Sequence, residues 1–509
     1  VTVHGKSNIS RSRSPPDGFD TVCMGADARK PTYAELTDLV RDLRERVTAL
    51  EAERAQDKKR IAELEAQLAA AKKNSRNSSK PPSSDITKPP TDASQNAAPR
   101  KKRGIGGQEG HPKHESELTL DDADRVVNLE ADRIPDQASL RLAPATDAPP
   151  RVLFQYELVG KPTRLTAYVA QPYRDLRTGD ILYPPFPAEV AAAGLLGPRL
   201  TAFAACLKGG IHASYTGTEK VLGFLGVDVA RATLCNKIQK VAAALGPAHE
   251  ELLQALPAQE RLNIDETGHK DHPFDKPAGH PKHWIWVFAA TAFTVFKIFG
   301  SRSTDALREV LGPNCAALIG ADFYSVYKCF MKEAHVKVQF CWAHLIREIR
   351  FRCESLDKPT AKYGQRLLEL CRLIFHLQHR RQQLGEEAFR RRMSRLKKKF
   401  LATGRHSQAA GARELVERLR TYGEDYFLFL DHPQIEPTNN LAEREVRHCV
   451  IDRRITQGTR GQAGQRWCER IWTVLATCAR QKRDAFAFVT ESVRAYYADR
   501  PQPSLLPSR

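Results

Sequence analysis

The sequence predicts an α/β protein: a catalytic body of strands and helices carrying a helical insertion, preceded by a coiled coil, a small β-leaning module and a helical segment. Three observations predict it. Short apolar runs alternate with helical stretches from Arg261 onward. Two of those runs end on an aspartate, Asp265 and Asp322. Near the N-terminus, apolar residues recur at heptad spacing.

The 509 residues leave room for two or three domains with a large core. The 79 Lys and Arg outnumber the 60 Asp and Glu, a net charge of +19, which favours a polyanionic partner such as nucleic acid. The 11 cysteines are odd in number and contain no Cys-x-x-Cys pair, so reduced thiols in a cytoplasm are expected rather than a disulfide framework. No run of about 18 apolar residues marks a membrane span, and no membrane partner is expected. Residues 1–31 are expected to be disordered or to precede the native start, with Met24 an alternative initiation point.

Residues 32–72 carry Leu36, Leu43, Leu50 and Leu64 at one heptad position and Val40, Val47, Ile61 and Leu68 at the other. Asp57 and Arg54 interrupt the two series. A narrow apolar stripe between charged flanks predicts a coiled coil and a homo-oligomer. Residues 73–114 read as a basic flexible linker: from Lys72 to His114 there are 10 Lys and Arg against 3 Asp and Glu. Residues 115–186 read as a small β-leaning module. His111 and His114 are spaced like half a zinc site, but no further ligands follow in the module, so zinc is not expected there.

Residues 187–258 turn helical, and Val221–Ile238 has the outline of a helix-turn-helix. Arg231, Asn236 and Lys237 are then the DNA-contact residues, although a plain helical hairpin has the same outline. The catalytic body is expected at 259–352 and 433–497, with a helical insertion at 353–432 and a tail at 498–509. Strand alternation puts Leu262 and Ile264 on the core face and Asn263 and Asp265 on the other, so Glu266 points away from Asp265. Further strands at His283–Ala290, Thr294–Phe299, Ala316–Ala321 and Val336–Phe340 alternate with helices at Ser303–Leu311 and from Cys341. That order, with acids on the first and fourth strands, is the ribonuclease H-like arrangement.

In the insertion, the stretch from Arg372 to Lys399 holds 10 Lys and Arg against 2 acids. Arg390, Arg391, Arg392, Lys397, Lys398 and Lys399 are read as a phosphate-binding arm. Glu443 opens a helix as a third carboxylate, or else caps it from the third position after Asn440. Arg444, Arg447, Arg453 and Arg454 follow and suit a DNA backbone. Cys341 and His344 stand one helical turn apart, either as metal ligands or as a packed thiol and a hydrogen-bonding imidazole. His269, His272, His280 and His283 read as a polar loop near the substrate rather than as zinc ligands.

Four motifs stand in order: Asn77-Ser78-Ser79-Lys80-Pro81-Pro82-Ser83-Ser84-Asp85, Asp265-Glu266-Thr267-Gly268, Cys341-Trp342-Ala343-His344 and Asn439-Asn440-Leu441-Ala442-Glu443-Arg444. Together they resemble the large transposase of the insertion sequence 66 family, from about residue 33 to residue 497. The resemblance implies a DDE-type acidic triad at Asp265, Asp322 and Glu443. It implies two Mg²⁺ ions on that triad, with Mn²⁺ as a substitute, for cleavage and strand transfer of double-stranded DNA at element ends and target. It also implies a bacterial cytoplasmic protein, accessory proteins of the same element, and a zinc module near 110–185 whose cysteine pairs are missing here. A nuclease or resolvase of the same fold, or a non-catalytic DNA-binding regulator, is the alternative.

Overall fold

The computed structural model describes residues 32–72, 119–122, 126, 160, 162–174, 181–272 and 282–507. The expectations for residues 1–31, for the linker 73–114 with His111 and His114, for most of the 115–186 module and for His280 lie outside the described residues. The chain divides into two compact units, 1–73 and 74–509.

In the first unit a single helix, α1, runs Tyr33–Lys72. It opens on a reciprocal cap: the Thr32 N–H donates to Glu35 Oε2 at 2.7 Å, and the Glu35 N–H donates to Thr32 Oγ1 at 3.4 Å. Its heptad residues Leu36, Val40, Leu43, Val47, Leu50, Ile61, Leu64 and Leu68 are all exposed. The helix extends about 60 Å at 1.5 Å per residue, and its apolar stripe has no partner among the described residues of the unit.

In the second unit a five-stranded mixed sheet is the frame. Its strands are β1 (Arg261–Lys270), β2 (Lys282–Ala289), β3 (Thr294–Phe299), β4 (Leu318–Ala321) and β5 (Val338–Phe340), in the spatial order β3-β2-β1-β4-β5. The first three form an antiparallel meander; β4 runs parallel to β1, and β5 parallel to β4. The first strand does not stop at Asp265 as its apolar run suggests. It pairs with β2 as far as Lys270 opposite Lys282, because the polar residues Glu266–Lys270 are held by cross-strand backbone bonds that hydropathy does not report.

The outer strand β3 is closed by a helix. Helix α15 (Gln462–Gln481) presents Thr477 Oγ1, Thr473 Oγ1 and Glu469 Oε1 to the N–H groups of Thr294, Phe296 and Ile298, at 3.2, 3.0 and 2.7 Å. Four residues of helix rise about 6 Å and two residues of strand about 6.6 Å, so the two ladders keep pace.

The helices α2 (Ala188–Ala193), α3 (Pro198–Gly210), α5 (Arg231–Ala244) and α6 (Gly246–Gln254) pack on α15 and α16 (Ala485–Tyr497) and share their core, whereas α4 (Tyr215–Phe224) packs on α3 and α5 through a smaller cluster around Leu222. By length and composition the stretch Ala188–Gly210 is apolar enough to cross a membrane. It is nevertheless two helices, broken at Gly194, whose φ of 57° ends α2. Lys237 corrects its sequence assignment. It is buried, its Nζ donates to the carbonyl of Ala193, and Lys240 Nζ donates to Ala192 O at 2.9 Å. The two ammonium groups cap the C-terminus of α2, where free carbonyls and the helix dipole favour positive charge. Arg231 and Asn236 remain on the solvent side.

Three shorter helices flank the sheet: α7 (Asp305–Leu311), α8 (Ser325–Glu333) and α9 (Trp342–Cys353). Next come α10 (Lys358–His379), α11 (Arg381–Leu384), α12 (Glu386–Gly404) and α13 (Arg413–Tyr422), then α14 (Asn440–Thr456). At the C-terminus Leu505 is fully buried and its carbonyl accepts from Gln481 Nε2 at 2.8 Å, so the expected tail returns to the body.

The far end of β1 is tied to the loop after α14. Asp271 bridges to Thr459, and Asp271 Oδ1 accepts from Thr459 Oγ1 at 2.7 Å and from the Gly461 N–H at 2.8 Å. Gly458 has a φ of +96°, and a Cβ there would lie 2.1 Å from the Lys270 carbonyl oxygen. Gly458→Ala is therefore expected to cost on the order of 2–4 kcal/mol, read as a lowered midpoint in urea denaturation against wild type.

Candidate active site

Parallel strands β1 and β4 pair Arg261 with Leu318, Leu262 with Ile319 and Asn263 with Gly320. Continued two residues past its last pair, that register would bring Asp265 next to Asp322, which follows the last residue of β4. Asp322 closes an Asx turn, its Oδ1 accepting the Tyr324 N–H at 3.0 Å. Asp265 Oδ1 accepts the Glu266 N–H at 3.0 Å. Among the described residues no cation makes a hydrogen bond to either carboxylate.

Glu443 arrives from α14, whose N-cap position is Asn439. The Asn439 side chain accepts from Asn263 Nδ2 at 2.9 Å and donates to Ile264 O at 2.8 Å, and its N–H donates to Cys341 Sγ at 3.2 Å. These bonds fix the start of α14 on β1 next to Asp265. Glu443 does not cap its helix: it follows one residue beyond the capping-box position, and its Oε1 is buried with no hydrogen-bond partner among the described residues. The nearest basic groups to that oxygen are His344 Nδ1 at 3.6 Å and Arg347 Nη2 at 3.8 Å, both from α9.

Burial, then Glu266, Asp322 and Glu443 in turn, push the Asp265 carboxyl well above its usual range. Asp322 is pushed up to about 6 by burial first and then by Glu266, opposed by the Tyr324 N–H and by Arg302. The acids therefore converge closely enough to feel one another, as expected of groups lacking a cation that neutralises them. Glu266 is satisfied separately. Arg302 grips its Oε1 through Nε at 2.8 Å and Nη2 at 2.5 Å, and the Tyr327 hydroxyl donates to Oε2. The Arg302 guanidinium stacks 3.8 Å from the Tyr324 ring centroid. Among the described residues Asp265, Asp322 and Glu443, unlike Glu266, accept no hydrogen bond from a cationic side chain.

Cys341, His344 and Glu443 place one ligand atom each within 4.8 Å of one another, the one set among the described residues with metal-ligand spacing. Burial, then Arg347 and Arg418, lower His344 to about 4, and burial raises the Cys341 thiol to about 11. At neutral pH these are an uncharged imidazole and a thiol.

The basic residues named from the sequence divide. Arg390 pairs with Glu386 at 2.7 Å and Lys397 with Glu424 at 2.8 Å, so both are neutralised within the chain. Arg391, Arg392, Lys398 and Lys399 are exposed, and Arg395, passed over in the sequence, joins them. At 3.6 residues per turn the five fall within roughly 120° of the helix circumference. Arg444, Arg447 and Arg454 are exposed on α14, whereas Arg453 is turned in, its Nη1 donating to Thr267 Oγ1 at 2.9 Å and to Gly268 O. Arg231 lies 3.6 Å from Glu219. His269 and His272 do not assemble a metal site among the described residues; their Nε2 atoms reach Thr459 Oγ1 and Gln457 O at 3.1 Å each. Asn439, Asn263, Arg302 and Arg347 escaped the sequence reading. Their sole signal was place, beside an acid or inside a motif.

An aspartate on β1, a second just past the end of β4 and a glutamate on α14 form a group of acids whose charges are felt at Asp265. Residues 193–466 match the family model "Transposase IS66 family". That match covers more than half of the chain, which belongs to the IS66 transposase family. Residues 26–117 match a second family model, a family of unknown function, DUF6444. The uncharacterized protein y4hP of Sinorhizobium fredii is 23% identical over 349 residues, which cover 62% of this chain and 62% of that protein.

Asp322 gives a test of the crowding. The folded chain holds a proton at Asp322 up to about pH 6, while the unfolded chain releases it near the ordinary value of 3.8. Stability from this group is therefore lost as pH rises from roughly 4 to 6. Asp322→Asn keeps the acceptor for the Tyr324 N–H and removes the charge. Its melting temperature in chelator-treated buffer should exceed that of wild type at pH 8, with the difference shrinking toward pH 4. A difference independent of pH would remove the electrostatic explanation.

Proposed function

We propose that this chain is a DNA transposase that cleaves and joins strands at the ends of its insertion sequence. Its catalytic domain is ribonuclease H-like, built from 259–352 and 433–497 with the helical insertion 353–432. The observation behind the reading is the β1–β4 register, which continued two residues would bring Asp265 next to Asp322, together with a Glu443 oxygen on α14 that has no hydrogen-bond partner among the described residues.

Asp265, Asp322 and Glu443 would hold two Mg²⁺ ions, and Mn²⁺ suits the same oxygen donors. Cations held there would supply Lewis-acid activation of the attacking oxygen, of water and then of a 3′-hydroxyl, and charge stabilisation for the leaving oxygen. The chain's own residues place the carboxylates. The Asx turn at Asp322 and the Asn439 bonds to β1 fix two of them, and Arg302 keeps Glu266 out of the set. No Ser or Tyr nucleophile is required.

DNA is held by phosphate contacts along the exposed α12 stripe and by Arg444, Arg447 and Arg454 beside the acids, with Arg231 and Asn236 on the α4–α5 hairpin reading the element ends. The α1 stripe pairs with α1 of a second copy, bringing two ends together. Accessory proteins of the same element join that assembly in the cytoplasm.

Asp265→Asn, Asp322→Asn and Glu443→Gln should each abolish cleavage of the element's terminal DNA in Mg²⁺ while leaving gel-shift affinity near wild type. Joined products in wild type separate a transposase from a nuclease, and metal-dependent cleavage excludes a bare regulator. Normal cleavage by Glu443→Gln would remove that residue from the triad.

The stripe makes a second prediction. Replacing Arg391, Arg392, Arg395, Lys398 and Lys399 with Ala should weaken binding to every duplex alike. It should flatten the slope of log affinity against log salt by roughly 0.9 per lost phosphate contact. Replacing Arg231 and Asn236 should reduce the preference for element ends instead. Deleting residues 1–72 should halve the mass seen by light scattering, and an unchanged mass would refute pairing through α1.

A further inference from the structure

Glu443 and His344 face each other across a gap that neither closes. His344 Nδ1 and Glu443 Oε1 are buried, lack hydrogen-bond partners among the described residues, and stand 3.6 Å apart. A hydrogen bond needs about 3 Å, so a small rotation of the carboxylate satisfies both atoms at once. Arg347, one turn along α9, places Nη2 3.8 Å from the same oxygen. The two helices cannot drift apart freely, because Cys341 at the N-cap of α9 accepts the Asn439 N–H at the N-cap of α14.

We infer that His344 is a positioning residue: with Arg347 it orients the Glu443 carboxylate toward Asp265 and Asp322 without touching the cations itself. The inference rests on the cation-pair reading above and assigns the role of the Cys341-to-His344 motif. Cys341 holds the two helix starts together, and the imidazole donates from Nδ1 to one oxygen of Glu443, leaving the other for a cation. Groups that hydrogen-bond a metal-ligating side chain fix its direction, and their loss costs about 10–100-fold in metal affinity or activity. A separate cation bound by Cys341, His344 and Glu443 is opposed by charge, since Arg347 faces the shared oxygen and Arg347 and Arg418 are the charges felt by His344.

The test is Mn²⁺ binding to the full chain without DNA, followed by the electron paramagnetic resonance signal of free Mn²⁺. It compares wild type, Asp265→Asn, His344→Leu and His344→Gln. Leu keeps the volume and removes the donor; Gln keeps both. Wild type should bind and Asp265→Asn should not. His344→Leu should bind about 10–100-fold more weakly, and His344→Gln should recover most of the loss. Equal affinity in wild type and His344→Leu overturns the inference while leaving the cation pair standing. Equal weakening in Leu and Gln makes the role one of packing and overturns it too. Unchanged binding in Asp265→Asn removes the cation-pair reading and this inference with it. A Cd²⁺–sulfur absorption band abolished by Cys341→Ser would make the three side chains ligands in their own right, again overturning the positioning role.

Discussion

The site depends on one buried amide. Asn439 accepts from Asn263, donates to the Ile264 carbonyl and gives its backbone N–H to Cys341, so a single residue joins β1, α9 and α14. A hydrogen bond of this kind contributes about 1 kcal/mol net, but an unsatisfied buried partner costs about 1–3 kcal/mol, so the three bonds tolerate no alternative placement of the helix. The partner amide has its own requirement. A Cβ on Gly320 would lie 2.5 Å from Asn263 Nδ2, so the residue before Ala321 and Asp322 is left without a side chain to make room for it. The long helical segment between α9 and α14 is compatible with a precise centre for this reason: the chain wanders through α10–α13 and is then returned to a fixed point on the sheet.

If the chain acts on DNA as proposed, the acidic group and the basic surface are two responses to one substrate. Carboxylates crowded on buried strand ends are costly in the absence of cations, as the raised Asp265 and Asp322 record. Arg and Lys left unpaired on α12 carry a similar penalty of self-repulsion. Neither arrangement serves the stability of the fold. Each becomes favourable when cations and a phosphate chain are present together, and the chain satisfies its other charges internally, as with Glu266 on Arg302 and Arg390 on Glu386.

Much of this was legible in the sequence because it is local. Asp265 and Asp322 follow apolar runs whose type and length mark strands; strand alternation sets Glu266 opposite its neighbour, yet its carboxylate, held by Arg302 and Tyr327, is the leading charge felt by both aspartates. Glu443 was legible as a helix opener, although the choice between cap and open carboxylate needed the helix start, one residue earlier than the pattern suggested. The remainder was not legible because it is made by contacts across long stretches of chain. Lys237 reads like a solvent-facing residue of a recognition helix, yet the C-terminus of α2, 44 residues earlier, claims its amine. Lys397 is taken by Glu424, and the Asn439 bonds span 175 and 176 residues to β1. No periodicity encodes such pairings.

The hydrogen-bonded seam between β3 and α15 bears on how copies of the chain meet. An open edge strand invites pairing with any other extended segment, and a protein that gathers in numbers on one DNA molecule would be exposed to that error. Here the alternate N–H groups of β3 are already spent on Thr477, Thr473 and Glu469. Sheet-to-sheet polymerisation through this margin is blocked, and encounters between copies are left to surfaces with a defined stoichiometry. The same seam makes the margin late to mature during synthesis, since α15 leaves the ribosome more than 160 residues after the strand it protects. A chain cut short before α15 would keep both aspartates and expose a bare strand, turning a truncated gene product from a merely inactive protein into an aggregating one.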